Sequence, residues 1–454
     1  MKIHFIAIGG SAMHNLAIAL HKKGYQVTGS DDEIVEPSKS RLASYQLLPA
    51  KEGWNEAAIT PDLHAVILGM HARADNPELL KAKELGLPIF SYPEYLYEQS
   101  KDKKRVVIGG SHGKTSITAM ILHVLQASRF PIDYMVGAQL RGFDTMVKIT
   151  DDAKTIILEG DEYLSSPIDR RPKFHLYKGH VAVLSGIAWD HINVFPTFEI
   201  YLQQFEQFID TLEPNAVLIY SANDAVLTNL VKQHPRTDIR KIPYLAHAAN
   251  TTEGITYLTT AAGAVPLRIF GDHNLQNLHA AKLVCLELGL AESDFYQHIQ
   301  TFNGASKRLE LIAKNKSCNA YKDFAHSPSK LMATTAAVKN QFENRKLIAC
   351  MELHTFSSLT AEFLKEYHGC MNTADQAIVY FNPHTIAHKK LAPISIEQVT
   401  AAFAREDLMV FTESDKLQAY LKAQKWENCN LLLMSSGNFD GIHMESFAEE
   451  LLSE

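Results

Sequence analysis

The sequence predicts an α/β protein built from three domains. Its 454 residues are enough for about three domains of ordinary size, each with its own core. Short apolar runs alternate with segments of helical spacing along the chain, a pattern typical of parallel sheets covered by helices. Several of these runs end in glycine, serine or acidic residues, as strands do where parallel sheets bind ligands.

The composition is that of a soluble globular enzyme, with 46% hydrophobic and 21% charged residues. A net charge of -7 gives no bulk attraction to nucleic acid or to an anionic membrane, so neither is expected as a partner. The apolar N-terminus predicts a first strand rather than a signal peptide, and no apolar run reaches membrane-spanning length. Five cysteines lie far apart without a CxxC pair, which predicts reduced thiols, a cytoplasmic location and no structural zinc.

The first domain opens with a βαβ unit. An apolar run at residues 2–8 leads into Gly9-Gly10-Ser11, and a second strand-like run ends at Gly29-Ser30-Asp31. An acidic residue about 20 positions after a glycine turn is typical of Rossmann-like units. Ala7 and Ala12 stand where the full G-x-G-x-x-G pattern has glycine. The pattern therefore predicts a Rossmann-like domain and leaves open whether NAD or the pyrophosphate of another nucleotide binds there.

A phosphate loop opens the second domain, between an apolar run at residues 105–108 and a helical segment that continues to Leu125. The loop residues are Gly110, Ser111, His112, Gly113, Lys114, Thr115 and Ser116. Glycines let backbone N–H groups approach phosphate oxygens, and the helix N-terminus adds partial positive charge. Lys114 would reach the outer phosphates, and the Thr115 hydroxyl would bind Mg²⁺. The spacing departs from the usual G-x-x-x-x-G-K-[ST], and a glycine-rich turn with a solvated lysine is the alternative.

Two later strand ends of this domain carry residue types that bind metals. The apolar run at residues 155–158 ends in Glu159-Gly-Asp-Glu-Tyr163, and the run at residues 181–184 is followed by Asp190-His191. A carboxylate and an imidazole at neighbouring strand ends, near a phosphate loop, suit Mg²⁺ held against a triphosphate. A solvated acidic turn and a structural histidine are the alternatives.

A helix that begins after Gly271 carries Asn274 and Asn277 in its first turn. Two amides at this spacing can present donors and acceptors to the edge of a purine. N-capping of the helix by Asn274 is the alternative.

Domain boundaries are predicted at two changes in composition. A charged stretch at residues 101–105 precedes the phosphate-loop strand, and Gly304 stands in a hinge before Lys307-Arg308. The predicted domains are residues 1–103, 104–303 and 304–454. The last domain again alternates strands and helices, with Asp323 and His326 after an early strand, where ligand-facing loops lie.

Together these motifs resemble the Mur ligase family of ATP-dependent amide ligases over essentially the whole chain. The matching pieces, in family order, are Gly9-Gly10-Ser11 with Gly29-Ser30-Asp31, Gly110-Ser-His-Gly-Lys-Thr-Ser116, Glu159-Gly-Asp-Glu162, Asp190-His191, His273-Asn274-Leu-Gln-Asn277, Lys307-Arg308 and Asp323-Phe-Ala-His326-Ser-Pro328. The resemblance implies a Rossmann-like domain at each end and a P-loop-type ATPase domain between them. The first domain would bind a UDP sugar, the second ATP, and the third the incoming amine.

The resemblance also implies ATP and Mg²⁺ as cofactors and a role for each motif residue. The phosphate loop, Asn274, Asn277, Arg308 and Asp323 would bind ATP. Thr115, Glu159 and His191 would hold Mg²⁺. Lys114, Glu159, His191, Arg308 and His326 would be catalytic. Gly9, Gly10, Ser11, Ser30 and Asp31 would bind the sugar nucleotide. Ser327 stands where many relatives have a second histidine, so its role is left open.

Within the family, the first-domain motifs resemble the branch that uses UDP-N-acetylmuramate. Some of its members add L-alanine, and others add a recovered peptide, L-alanyl-γ-D-glutamyl-meso-diaminopimelate. The arginine-bearing segment of the L-alanine-adding members is replaced by Glu352-Leu-His354-Thr-Phe-Ser-Ser358, which has no arginine. The segments at residues 165–170, 173–174 and 434–443 resemble the peptide-adding members. The resemblance therefore implies ligation of the peptide in peptidoglycan recycling, with L-alanine addition in peptidoglycan biosynthesis as the alternative.

Two rival functions come from other classes of protein. A nucleotide-binding regulator would keep the phosphate loop, but it would not need Glu159, His191 and Arg308 together. An NAD-dependent oxidoreductase would use the first glycine turn and would leave the lysine of the phosphate loop unexplained.

Overall fold

The computed structural model describes residues 1–189, 194–305 and 308–453. The chain forms two compact units, Met1–Leu245 with Asn277–His298 and Ala246–Gln276 with Ile299–Glu454. Among the described residues, none of the helices combines the length and apolarity that crossing a bilayer requires. All five cysteines are free and buried.

The first sheet has four parallel strands in the order β2-β1-β3-β4. Its elements are β1 (Lys2–Ile6), α1 (Ser11–Lys22), β2 (Gln26–Ser30), α2 (Ser38–Ser44), β3 (Ala65–Leu68), α3 (Pro77–Glu84), β4 (Ile89–Ser91) and α4 (Tyr92–Ser100). Sequence fixes the helix starts locally, because Asn76 caps α3 and Ser91 forms a capping box with Glu94 at α4. The predicted βαβ opening is confirmed.

The second sheet has seven strands in the order β11-β10-β9-β5-β8-β6-β7, and only its edge strand β7 pairs in antiparallel fashion. Its elements are β5 (Lys104–Gly109), α5 (Lys114–Ala127), β6 (Ile132–Met135), β7 (Val147–Lys148), β8 (Thr155–Glu159), β9 (Val181–Leu184), α6 (Phe198–Asp210), β10 (Val217–Ser221), α7 (Ala225–Gln233) and β11 (Arg240–Tyr244). β5 lies between β8 and β9, so three strand ends meet at the edge where such sheets bind ligands.

A small antiparallel sheet was not predicted. Its strands are β12 (Ala249–Thr252), β13 (Ile255–Thr260) and β14 (Gly263–Leu267), and they are followed by α8 (Asp272–Glu287) and α9 (Glu292–Ile299). Most residues of β12 and β14 are exposed, so the sequence gives only a weak signal for buried strands there.

The last sheet has six strands in the order β15-β16-β20-β17-β18-β19, all parallel except the edge pair β15 and β16. Its elements are β15 (Glu310–Lys314), β16 (Asn319–Asp323), α10 (Pro328–Gln341), β17 (Lys346–Leu353), α11 (Ala361–Leu364), β18 (Gln376–Phe381), α12 (Pro383–His388), α13 (Ile396–Phe403), β19 (Met409–Phe411), α14 (Ser414–Lys422), β20 (Cys429–Met434) and α15 (Met444–Leu452). The predicted domain boundaries fall between the elements of neighbouring sheets and stay a prediction.

Candidate active site

The phosphate loop joins β5 to α5, as predicted, and two of its glycines are required by geometry. Gly110 and Gly113 have φ angles of +121° and +76°, in the region that side chains rarely adopt. A β-carbon at Gly110 would overlap Ser185 Oγ, and one at Gly113 would overlap the Asn277 side chain. The loop therefore packs against the end of β9 and against one of the two predicted asparagines.

The side chain of Lys114, the first residue of α5, contacts the loop that precedes the helix. Its ammonium group donates to Gly110 O at 2.7 Å and to a Glu162 carboxylate oxygen at 2.5 Å. Burial alone would lower the pKa of Lys114, but Glu162 and Asp161 outweigh this effect and raise that pKa above its ordinary value. The lysine is thus held cationic beside the loop, as binding to phosphate requires.

The predicted metal residues Thr115 and Glu159 meet at the adjacent strand ends. Thr115 Oγ1 donates to Glu159 Oε1 at 2.9 Å, and the Gly137 N–H donates to Glu159 Oε2 at 2.8 Å. Burial raises the pKa of Glu159, although the Gly137 N–H, Lys114 and the Thr115 hydroxyl act in the opposite direction. The neighbouring Ser116 is also buried, in the first turn of α5.

His191, the predicted ligand at the third strand end, lies outside the described residues, as do Asp190 and Lys307. Residues 185–188, which follow β9, are hydrogen-bonded to the phosphate loop. The Ser111 N–H donates to Gly186 O at 3.0 Å, and the Ala188 N–H donates to Ser111 Oγ at 2.9 Å. Ser185 Oγ donates to the carbonyl oxygen of His112.

The glycine turn of the first domain is closed by Asp31. The Gly9 N–H donates to Asp31 Oδ2 at 2.7 Å, and Gly10 precedes the first residue of α1, Ser11. Burial is the main cause that raises the pKa of Asp31 to about 6. Ser30 is also buried, and its hydroxyl donates to a Glu78 carboxylate oxygen at 2.5 Å. The predicted sugar-nucleotide residues therefore lie together at the ends of β1 and β2.

The N-capping role considered for Asn274 is wrong. Helix α8 begins two residues earlier, at Asp272, so Asn274 lies inside its first turn. The Asn274 side-chain amide donates to Phe270 O at 2.9 Å. Asn277 is buried and lies against Gly113 of the phosphate loop.

In the second unit, the structure brings together the motif residues that follow the hinge. The Arg308 guanidinium lies over the Phe324 ring, 4.8 Å from its centroid. The carboxylate of Asp323, at the end of β16, accepts from the Leu309 N–H at 2.5 Å. Burial raises the pKa of Asp323, although Arg308 acts in the opposite direction. His326 Nδ1 contacts Phe324 O at 2.8 Å.

Three functional candidates were missed from the sequence. Glu162 lies in the same motif as Glu159, and its carboxylate at the end of a predicted strand is the sequence feature that indicates a function. Tyr201 contacts the phosphate loop from α6 and carries no local signal. Glu352 is buried at the end of β17, where its carboxylate accepts from Ser435 Oγ and, at 2.8 Å, from the Phe439 N–H.

Comparison with known proteins decides the family. The model of the Mur ligase family catalytic domain matches residues 2–104, and that of the Mur ligase middle domain matches residues 108–285. UDP-N-acetylmuramate–L-alanine ligase of Arthrobacter sp. is 30% identical over 390 residues, which cover 83% of this chain and 80% of that protein. The chain belongs to the Mur ligase family. It is therefore an ATP-dependent acid–amino-acid ligase of peptidoglycan synthesis rather than an oxidoreductase or a nucleotide-binding regulator.

Solved Mur ligase structures share the fold of the whole chain. UDP-N-acetylmuramate–alanine ligase from Thermotoga maritima has a TM-score of 0.71 at 19% identity. A murein peptide ligase from Psychrobacter arcticus has a TM-score of 0.64 at 20% identity. Each comparison covers 100% of this chain and 98% of the other. The predicted α/β architecture is thus confirmed, and at these identities the comparison concerns the fold alone.

Proposed function

We propose that this Mur ligase activates the carboxylate of UDP-N-acetylmuramate with ATP and joins it to an amine. A free carboxylate resists amine attack because the reaction would have to expel oxide. Transfer of the γ-phosphoryl group to a carboxylate oxygen gives an acyl phosphate and ADP. The amine nitrogen then attacks the carbonyl carbon, and the tetrahedral intermediate expels inorganic phosphate while the nitrogen loses a proton. The products are an amide, ADP and phosphate.

The observation that carries this proposal is the cluster of Lys114, Thr115 and Glu159 at two adjacent strand ends. Both chemical steps gather negative charge around the phosphoryl group, so a fixed cation stabilises their transition states. Lys114 supplies such a cation at the start of α5, where the backbone N–H groups and the helix dipole also favour an anion.

The residues present fit Mg²⁺ that is held partly by protein and partly by phosphate. Thr115 Oγ1 and Glu159 Oε1 lie 2.9 Å apart, and both are oxygen ligands suited to Mg²⁺. In proteins, Mg²⁺ is usually bound by one or two carboxylates together with substrate phosphates. Within the described ranges, no group of three or more His, Cys, Asp or Glu residues could hold a metal on its own. Thr115 and Glu159 would hold the ion, which would supply positive charge to the phosphates. His191 is proposed, from the family motif, as a ligand of a second metal near the substrate carboxylate.

The other motif residues keep the roles that the family resemblance implies. We assign the glycine turn of the first domain, with Ser30 and Asp31, to the sugar nucleotide. Arg308 is assigned to the γ-phosphate, and Asp323 to the ribose of ATP. Asn274 and Asn277 are assigned to the adenine, and His326 to the vicinity of the acceptor.

The acceptor that we propose first is L-alanine. Curated relatives such as the Arthrobacter protein, at 30% identity, carry the name of the L-alanine ligase. The same name belongs to a relative from Carboxydothermus hydrogenoformans that is 26% identical over 454 residues.

The peptide L-alanyl-γ-D-glutamyl-meso-diaminopimelate is the second candidate, because specific residues favour it. The loop after β17 carries His354 and no arginine. The nearby carboxylate of Glu352 is buried and accepts hydrogen bonds from Ser435 and Phe439 in the loop after β20. The run that resembles the peptide-adding members forms an ordered turn, in which the Ser165 N–H donates to Arg171 O at 3.0 Å and Lys173 pairs with Asp161 at 2.6 Å.

A competition assay separates the two acceptors. The purified protein would receive UDP-N-acetylmuramate, ATP, Mg²⁺ and equal concentrations of L-alanine and the peptide, and mass spectrometry would identify the product. The first proposal predicts mainly the L-alanyl product. Mainly the peptide product would select the second candidate, and the absence of both products would exclude both acceptors.

A further inference from the structure

Glu162 is a buried carboxylate that the reaction scheme above does not use. Glu162 follows β8, three residues after Glu159, and it is only 1% exposed to solvent. Burying a carboxylate is costly unless a cation or hydrogen-bond donors compensate for the lost hydration. A charge kept in this position, next to the phosphate loop, therefore needs an explanation.

The contacts of Glu162, extended through Tyr201, connect four separate parts of the chain. One carboxylate oxygen accepts from Lys114 Nζ at 2.5 Å, and the other accepts from the Tyr201 hydroxyl at 3.3 Å. The Tyr201 hydroxyl also lies 2.8 Å from Ser111 Oγ, which in turn accepts from the Ala188 N–H at 2.9 Å. The phosphate loop, the β8 end, helix α6 and the β9 end are thus joined by one hydrogen-bonded network.

The geometry around Lys114 suggests what this network does. An ammonium group has three N–H donors, and Gly110 O and Glu162 take two of them. Lys114 can therefore keep both contacts and give its third donor to a phosphate oxygen. A lysine side chain loses considerable rotational freedom when it is fixed, so fixing it before ATP arrives lowers the cost of binding and of phosphoryl transfer.

We propose that Glu162 is a positioning residue that holds Lys114 ready for the phosphates of ATP. Tyr201 extends this brace to Ser111 and to the segment that leaves β9. Packing keeps the tyrosine in place, since its ring contacts Phe195 and Phe205 with centroid distances of 5.5 and 5.2 Å. Removal of its hydroxyl should therefore interrupt the network without displacing the ring.

The main test is Glu162→Gln, which keeps the side-chain shape and removes its charge. Charge-assisted hydrogen bonds are among the stronger ones, so we expect the KM for ATP and the Kd for ADP to rise about tenfold or more. The KM for UDP-N-acetylmuramate should stay within about twofold, because the glycine turn of the first domain is untouched. Direct ADP titration needs no acceptor, so this test remains valid whichever acceptor the ligase uses.

Tyr201→Phe is the second variant, and it should raise the same two constants by roughly threefold, because it removes a long hydrogen bond of 3.3 Å to Glu162 and the contact with Ser111 but leaves the ion pair between Lys114 and Glu162 in place. Tyr177→Phe is its matched control. Tyr177 is fully buried, and its hydroxyl has no hydrogen-bond partner in the described part of the chain. Loss of that hydroxyl should leave the ATP constants unchanged.

Asp133→Asn controls for the loss of a buried ion pair as such. Asp133 on β6 is fully buried and pairs with Lys103 at 2.5 Å. This variant should lower Tm without changing the KM for ATP. The proposal is wrong if Glu162→Gln behaves in the same way, with a lower Tm and an ADP Kd within twofold of the wild type. Should Glu162→Gln fail to fold, an unchanged ADP Kd in Tyr201→Phe would equally overturn the network.

Discussion

Two sheet edges of this ligase treat their buried carboxylates in different ways. At the seven-stranded sheet, Glu159 and Glu162 accept from Thr115 and Lys114, groups that also suit phosphate and Mg²⁺. At the six-stranded sheet, Glu352 accepts from Ser435 and from the Phe439 backbone, and so shapes a loop of its own domain. The carboxylates at the first edge contact groups that can bind ATP and Mg²⁺, whereas the carboxylate at the second edge stabilises one conformation of a loop.

This difference shows why ATP chemistry is easier to assign than the acceptor. Phosphate needs backbone N–H groups, a cation and a metal-binding carboxylate, and a short motif can supply them. An acceptor site takes its shape from loops at several strand ends, which long-range contacts such as that of Glu352 hold in place.

Lys114→Met should produce the largest effect at the phosphate edge. Loss of the cation that faces the transferred phosphoryl group should lower ADP release by about a thousandfold, while calorimetry should show UDP-N-acetylmuramate binding within twofold of the wild type. Lys104→Met is a suitable control, because Lys104 is an exposed lysine at the start of β5, the strand that precedes the phosphate loop. ADP release near the wild-type rate in Lys114→Met would remove the phosphate loop from the mechanism.

Glu159→Gln should lower turnover by about a hundredfold and shift its Mg²⁺ dependence to higher concentrations, because the neutral amide is a weaker ligand for Mg²⁺. Initial rates at a series of Mg²⁺ concentrations measure both effects. An unchanged Mg²⁺ dependence would mean that Glu159 shapes its loop, as Glu352 does, and the contrast between the two edges would then disappear.

Asp31 tests the cost of a buried carboxylate that backbone N–H groups hold. Its pKa is raised from 3.8 to about 6 in the folded protein, so the unfolded chain loses the proton first as pH rises. Wild-type stability should therefore fall between about pH 4 and pH 6, by about 2 kcal/mol in total. Asp31→Asn should not show this loss. Urea unfolding of both proteins at pH 4 and pH 7 measures this loss. If wild type and Asp31→Asn differed in free energy of unfolding by the same amount at both pH values, the expectation would be contradicted.

Glu352→Gln should have the smallest effect and one confined to the acceptor. Weaker bonds to the loop after β20 should raise the KM for the acceptor amine by about fivefold to tenfold, with the KM for ATP unchanged. Glu397→Gln, at an exposed helix start, provides the control. A change in the KM for ATP without a change in the KM for the acceptor would reverse the roles given to the two edges.

Elements with local signals could be predicted from sequence. The apolar runs at residues 155–158 and 181–184 form β8 and β9 with bounds that agree within one residue, because a continuous apolar run determines a buried strand over a few positions. The phosphate loop is predictable for the same reason. Thr115 and Glu159, 44 positions apart, were placed together because parallel strand ends share an edge.

Features that depend on distant contacts or on polar strands were missed. Tyr201 and Ser111 are 90 positions apart, and neither the spacing nor the residue type indicates their contact. In the antiparallel sheet at residues 249–267, most residues of β12 and β14 are exposed and only Thr256 and Leu258 of β13 are buried, so hydrophobic periodicity is weak there. The N-capping role of Asn274 is wrong because α8 begins two residues earlier, at Asp272, and the Asn274 amide donates to Phe270 O.

Transfer of oxygen from the donor acid to phosphate tests the central claim most directly. UDP-N-acetylmuramate labelled with ¹⁸O in its carboxylate would be incubated with the ligase, ATP, Mg²⁺ and the acceptor, and the inorganic phosphate would be analysed by mass spectrometry. An acyl phosphate predicts one labelled oxygen in each phosphate released for each amide formed. Amide formation with unlabelled phosphate would contradict the proposed activation of the carboxylate by ATP.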